Sequence, residues 1–320
     1  MIRPLIITLL SFGHILGQES KIREIGLSGL ITDRKQEISG MDWYQDRLFL
    51  LPENLGGFLF TIPKSDILKS LEMGEQQPIT PKQTKFTTPD YSNLIQGFDG
   101  FEAIAFNGNK VFISIEAEHD GKMNGYLIWG KIDPRTLEVK ISKNDLKSIK
   151  TPIQLDNTSF ESVLMYDHDV LMIYEANGSN LQKEVRQSVY SPKGGSISHI
   201  KSGNIEYRIT DATRVDSNNR FWSINYFWPG DEKLLLPGKD LILSRTLEGS
   251  SHSRSDAVER LVEFEIKDNE IIFSENDPIQ IVLDPSGSRN REAIARLENE
   301  GFLIATDKYP KMILGFVPFN

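Results

Sequence analysis

Short apolar runs, rich in β-branched and aromatic residues, recur along the chain in pairs divided by polar turns. The clearest pair is Phe101-Glu102-Ala103-Ile104-Ala105-Phe106 with Val111-Phe112-Ile113-Ser114-Ile115-Glu116, separated by Asn107-Gly108-Asn109. It returns over residues 160–163 with 170–175, 210–213 with 220–225, and 291–295 with 302–307. A weaker copy stands first, over 38–41 with 48–53. Runs of this kind bounded by Asn, Asp, Gly and Ser are read as β-hairpins. Third strands are predicted over 57–62, 126–132, 186–190, 260–266 and 312–319. Fourth strands are predicted over 84–88, 137–141, 205–209 and 270–274. Only 65–71 reads as a short helix.

Self-similarity at periods of tens of residues marks an array of like units, and three or four short strands per unit predict an all-β fold, a β-propeller. Five blades is the leading reading. The repeat starts Ser39, Glu102, Glu161, Asp211 and Glu292 are separated by 63, 59, 50 and 81 residues. The long last interval holds a Gly-, Ser- and charge-rich stretch at about 228–256. It is read as an insertion over one mouth of the channel, with a degraded sixth blade as the alternative. The chain stops one strand short, so residues 23–31 are expected to supply the missing outer strand and close the ring.

The 320 residues are 39% hydrophobic and 25% charged, an ordinary globular composition, and residues 18–320 are read as one domain. The net charge of −9 and the absence of a basic block argue against nucleic acid as a partner. Residues 1–17 combine Arg3, an apolar run and Gly17 before Gln18, the pattern of a signal peptide too short for a stable membrane anchor. The expectation is an exported protein, periplasmic or secreted, and a monomer. With no Cys, it needs no disulfides.

The polar residues of the hairpins carry the chemistry. In a propeller the first strand of each blade lines the channel, and the end of the second returns to the same mouth. Ser39, Glu102, Glu161, Asp211 and Glu292 are therefore expected to form an inner ring. Glu53, Glu116, Glu175, Asn225 and Asp307, 14 or 15 residues further on, form a second. Two like charges ~4 Å apart repel by roughly 4 kcal/mol at an effective dielectric of about 20. Four carboxylates around one axis thus need a cation or raised pKa values. Oxygen donors without recurring His or Cys suit Ca²⁺ better than Zn²⁺ or Cu²⁺. The inner ring is the expected metal site.

The repeated Phe-Glu-Ala-Ile-Ala phrase resembles the esterase-like domain of the phytase-like propeller family. So does the ending Asn290-Arg291-Glu292-Ala293-Ile294-Ala295 with Ala305-Thr306-Asp307-Lys308-Tyr309-Pro310. The order Ser39, Glu102, Glu161, Asp211, Glu292 also resembles the calcium-activated nucleotidases, or apyrases. That resemblance implies five blades and an axial calcium held by Ser and acidic residues. The apyrase Asp-Asp-Arg-Thr-Gly run is replaced here by Pro52-Glu53-Asn54-Leu55-Gly56-Gly57, so the cation that would hold a phosphate is missing.

The leading expectation is a calcium-dependent hydrolase of small-molecule phosphoester or carboxylic ester substrates. Glu53, Glu116, Glu175 and Asp307 are its candidate general bases. Asn225, Trp228, Arg214 and Lys308 are candidate substrate contacts. The rival expectation is a non-enzymatic propeller with a structural calcium that binds a protein or glycan partner. Gly125 to Lys131 mimics part of a P-loop but lacks the Ser or Thr that follows and lies in a predicted strand. No Gly-x-Ser-x-Gly elbow occurs, so a serine esterase is unsupported. His119 is a further candidate base.

Overall fold

The computed structural model describes residues 17–73, 77–285, 287, 289–307 and 311–319. The signal-like residues 1–16 and Lys308 lie outside the described residues. The fold is all-β, with curled sheets of the propeller kind. Its strands follow one another as antiparallel meanders. The first comprises Ile38–Tyr44, Arg47–Pro52, Phe58–Pro63 and Lys82–Thr87. The second comprises Phe98–Asn107, Lys110–His119, Lys122–Ile132 and Val139–Ile149. The third comprises Ser162–Tyr166, Asp169–Ile173, Val185–Ser191 and Ser196–Ser202. The fourth comprises Arg208–Ala212, Arg220–Phe227, Val258–Lys267 and Glu270–Phe273. Last come Arg291–Leu297, Gly301–Thr306 and Leu314–Pro318, and Arg23–Ile25 from the N-terminal side pairs antiparallel with Leu314–Pro318.

The first strands of successive meanders pack on one another in order, and Arg291–Leu297 packs back on Ile38–Tyr44. Apolar cores fill each junction between neighbours. Phe49 and Leu51 meet Phe101 and Ile113, and Phe112 and Leu127 meet Val163 and Met172. Leu164 and Leu171 meet Phe221 and Phe264. Trp222 and Leu261 meet Phe302 and Val317, and Leu303 and Leu314 meet Ile38 and Phe60. Inner strands are thus covered on both faces, which is why they read as continuous apolar runs. Fully burying each such side chain contributes roughly 1.5–3 kcal/mol. Gly40 permits the closest approach at the axis. A Cβ there would stand 3.0 Å from the Ala103 Cα.

One expectation is corrected. The outer strand of the third meander is Ser196–Ser202, not 205–209. Ser196–Ser202 is mostly exposed, with little apolar content to betray it, and also pairs parallel with Glu270–Phe273, whereas 205–209 leads into the next inner strand. The 228–256 segment joins the second and third strands of the fourth meander, with one turn of helix at Glu232–Leu235. The helix expected over 65–71 spans Lys64–Met73.

Candidate functional site

Each first strand breaks register with its neighbour, and Phe98–Asn107 does so a second time between Phe98 and Gly100. The ladder slips between Ile38 and Gly40, Phe101 and Ile104, Ile209 and Asp211, and Arg291 and Ala293. In the third meander Ser162 stands opposite Ile173, while the Glu175 amide donates to the Ser159 carbonyl, so the same slip falls there. A bulge expels one residue from the ladder and re-aims its side chain. Ser39, Glu102, Glu161, Thr210 and Glu292 sit at these slips, and all five line one cavity of about 680 Å³. The second strands and their extensions add Glu53, Glu116, Glu175, Tyr226 and Asp307 to the same wall. Asp99, Asn157, Arg208, Asn290 and, from the 228–256 segment, Trp228 and Asp231 complete its polar and aromatic lining.

Nine of the lining residues carry carboxylates, against one arginine among the described residues. Oxygens of Glu116, Glu161 and Glu175 lie within 4.8 Å of one another. Glu175 is anchored: its Oε2 accepts from Arg208 Nη1 at 2.5 Å and its Oε1 from the Ser159 amide at 3.1 Å. Arg208 also donates through Nε to Asp231 at 2.8 Å and through Nη1 to the Asn157 carbonyl at 3.0 Å. Glu116 and Glu161 are buried, yet neither carboxylate takes a hydrogen bond or ion pair from another described residue. Burial, then repulsion from the neighbouring carboxylates, pushes Glu102 and Glu161 well above the usual range. The same causes, burial first, push Glu116 to about 8 and Glu292 to about 8, with Asp307 the charge that acts most strongly on Glu292. Glu175 is also raised by burial, against the pull of Arg208. Such a wall either holds protons at neutral pH or offers a cation a set of oxygens.

The structure brings together Ser39, Glu102, Glu161 and Glu292 with Glu53, Glu116, Glu175 and Asp307, and places Trp228 beside them. It corrects Asp211 and Asn225. Asp211 lies one residue past the bulge, buried, and its oxygens accept from the Ala212 and Ile294 amides at 2.8 Å each. Asn225 is wholly buried; its amide donates to the Glu206 and Arg208 carbonyls and its oxygen accepts from Arg260 Nε at 2.8 Å. Successive strand residues face opposite ways, so a one-residue error in alignment changes face. The true counterparts are Thr210 and Tyr226. Thr210 Oγ1 donates to the Arg291 carbonyl at 2.5 Å, as Ser39 Oγ donates to the Phe101 carbonyl at 2.5 Å. Matching acid to acid missed this. Four of the five cavity residues follow a large apolar residue, Ile38, Phe101, Phe160 or Ile209, whereas Glu292 follows Arg291.

Arg214 is also corrected. It sits outside this cavity, lining a second cavity of about 260 Å³, and binds Asp42 through Nε and Nη2 at 2.7 and 2.9 Å. His119 is no part of the wall and pairs with Asp120 at 3.2 Å. Arg208 was missed altogether. It occupies the position two before the bulge, where the other repeats carry Glu37, Gly100, Ser159 and Asn290, so no repeated signal announced it. Gly100 at that position makes room: a Cβ there would fall 2.4 Å from the Glu53 Cγ.

No known protein family matches the chain, and no curated protein does. Among solved structures it is similar to a member of the GH130 family of mannoside phosphorylases, which contains glycoside hydrolases that target β-1,2-mannosidic linkages in Candida mannan. The identity is 9% over 98% of this chain and 95% of that one, with a TM-score of 0.50. A putative glycoside hydrolase of Parabacteroides distasonis aligns at 9% identity over 89% of this chain and 87% of that chain, TM-score 0.49. A glutaminyl cyclase of Myxococcus xanthus aligns at 10% identity over 94% and 99%, TM-score 0.43. At these identities the likeness is one of fold, a propeller.

Proposed function

We propose that this protein is a five-bladed propeller hydrolase that holds Ca²⁺ in its acidic cavity. The cyclic packing of the first strands and the pairing of Arg23–Ile25 with Leu314–Pro318 support five blades closed by the N-terminal strand. The observation that carries the metal is the convergence of Glu116, Glu161 and Glu175 oxygens within 4.8 Å. Calcium–oxygen bonds of about 2.3–2.6 Å allow two ligands on one ion to stand up to about 5 Å apart. Glu102, Glu292, Ser39 and Thr210 on the same wall offer the further oxygens that a six- to eight-coordinate ion takes. The metal centre thus draws on both rings, not on the inner one alone.

Bound calcium would polarise the ester oxygen and relieve the charge of the wall. Glu53 or Asp307 takes the proton of the attacking water. The water oxygen bonds to the acyl carbon or phosphorus, the ester bond to the leaving oxygen breaks, and that oxygen leaves with the proton that Glu53 or Asp307 took from the water. The signal-like residues 1–17 support export to a calcium-containing compartment. A screen of carboxylic ester and phosphoester substrates, with Ca²⁺ and with chelator, tests the reading. Turnover should need calcium and vanish in Glu161→Gln. Undiminished turnover in chelator contradicts the mechanism. Calcium binding with no turnover on any ester moves the weight to a structural calcium in a propeller that binds a protein or glycan.

A further inference from the structure

We infer that the cavity takes an uncharged sugar ring, stacked on Trp228 with its hydroxyls turned to the carboxylate wall. The inference rests on the hydrolase reading only for which bond is cut, an ester carried by that ring. Trp228 lines the cavity with 53% of its surface exposed, while Tyr226 beside it is buried. Its indole is held in place. A Cβ on Gly230 would stand 2.1 Å from the indole Cζ3, so the six-membered ring packs close against Gly230. A fixed, exposed aromatic face suits a flat or weakly polar ligand face.

Charge selects among the ligands such a face accepts. Nine carboxylates surround one arginine, and Arg208 is already spent on Glu175 and Asp231. Nucleotides and polyphosphorylated rings find no uncommitted cationic side chain among the described lining residues. A polycation would compete with calcium for the same oxygens. A neutral polyol meets neither obstacle. Its hydroxyls donate to a wall carboxylate outside the metal cluster, such as Asp99, and accept from the side-chain amides of Asn157 and Asn290. The volume of about 680 Å³ lies within the range of small-molecule sites and exceeds what one ring fills.

The test uses the mature, calcium-loaded protein. Methyl glycosides of glucose, mannose, galactose and arabinose, and their O-acetyl esters, are titrated by calorimetry beside ATP, inositol hexakisphosphate and spermine. At least one neutral sugar should bind, more tightly than all three charged probes. Trp228→Ala should weaken it by about tenfold or more, the scale of a lost aromatic contact, with calcium affinity unchanged. Trp228→Phe should restore part of the loss. No sugar binding, tighter binding of a charged probe, or sugar binding indifferent to Trp228→Ala overturns the inference. p-Nitrophenyl acetate separates it from the hydrolase reading. Calcium-dependent cleavage of that ester without sugar binding sinks the inference alone. Trp228-dependent sugar binding without cleavage of any ester sinks the hydrolase reading alone.

Discussion

Glu161 is the residue on which the site turns. It is buried, faces Glu116 and Glu175, and takes no hydrogen bond from another described residue. Glu161→Gln keeps the shape and removes the charge, so calcium affinity should fall by roughly one to two orders of magnitude, read by calorimetry. Arg208 works the other way. Truncating one partner of a buried pair leaves the others uncompensated, so Arg208→Ala should cost about 3–5 kcal/mol in denaturant unfolding of the calcium-free protein. Gly100→Ala forces the Glu53 side chain aside, since the new methyl group would meet its Cγ. Turnover should drop while calcium affinity, which does not depend on Glu53, holds. Equal loss of both would place Glu53 among the metal ligands.

The hairpins were legible because inner strands, covered on both faces, must be apolar along their whole length. Glu102, Glu161 and Glu292 were legible because each is the only acid in its apolar run. Asp211 and Asn225 were misread because the sequence shows residue type and not the bulge that decides facing, and the fourth hairpin turn is longer than its counterparts. Ser196–Ser202 is hard to read in the sequence because most of it is exposed and only Ile200 is fully buried. The N-terminal strand Arg23–Ile25 has three residues, yet Ile25 is 3% exposed in the core shared with Leu314 and Ile38. If that short strand completes the last blade, Ile25→Ala should destabilise the protein by about 2–5 kcal/mol, a core-sized loss. A change near zero in chemical denaturation would show the strand to be dispensable.

Across the molecule, stability and charge are coupled through the cavity. Glu116 and Glu292 are pushed up to about 8, chiefly by burial, from an ordinary value of 4.5. The folded chain therefore holds more protons than the unfolded chain between about pH 4.5 and 8, and its stability falls as pH rises through that window. Glu19 has the opposite sign. Burial raises it, but bonds from His252 and Ser251 outweigh that and hold it at about 2, so its contribution is present above 4.5 and lost on acidification. The calcium-free protein should melt at a higher temperature at pH 5 than at pH 8, and saturating calcium should reduce or reverse that difference. A ligand of the native state alone adds about 2.7 kcal/mol at one hundredfold excess over Kd. The most direct test of the central claim is calcium titration by calorimetry at pH 7 in buffers of different ionisation heat. Binding of about one Ca²⁺ per chain with release of protons is the predicted result, because the ion displaces protons that Glu116 and Glu292 hold. No calcium heat, together with an unchanged melting temperature in chelator, would contradict it.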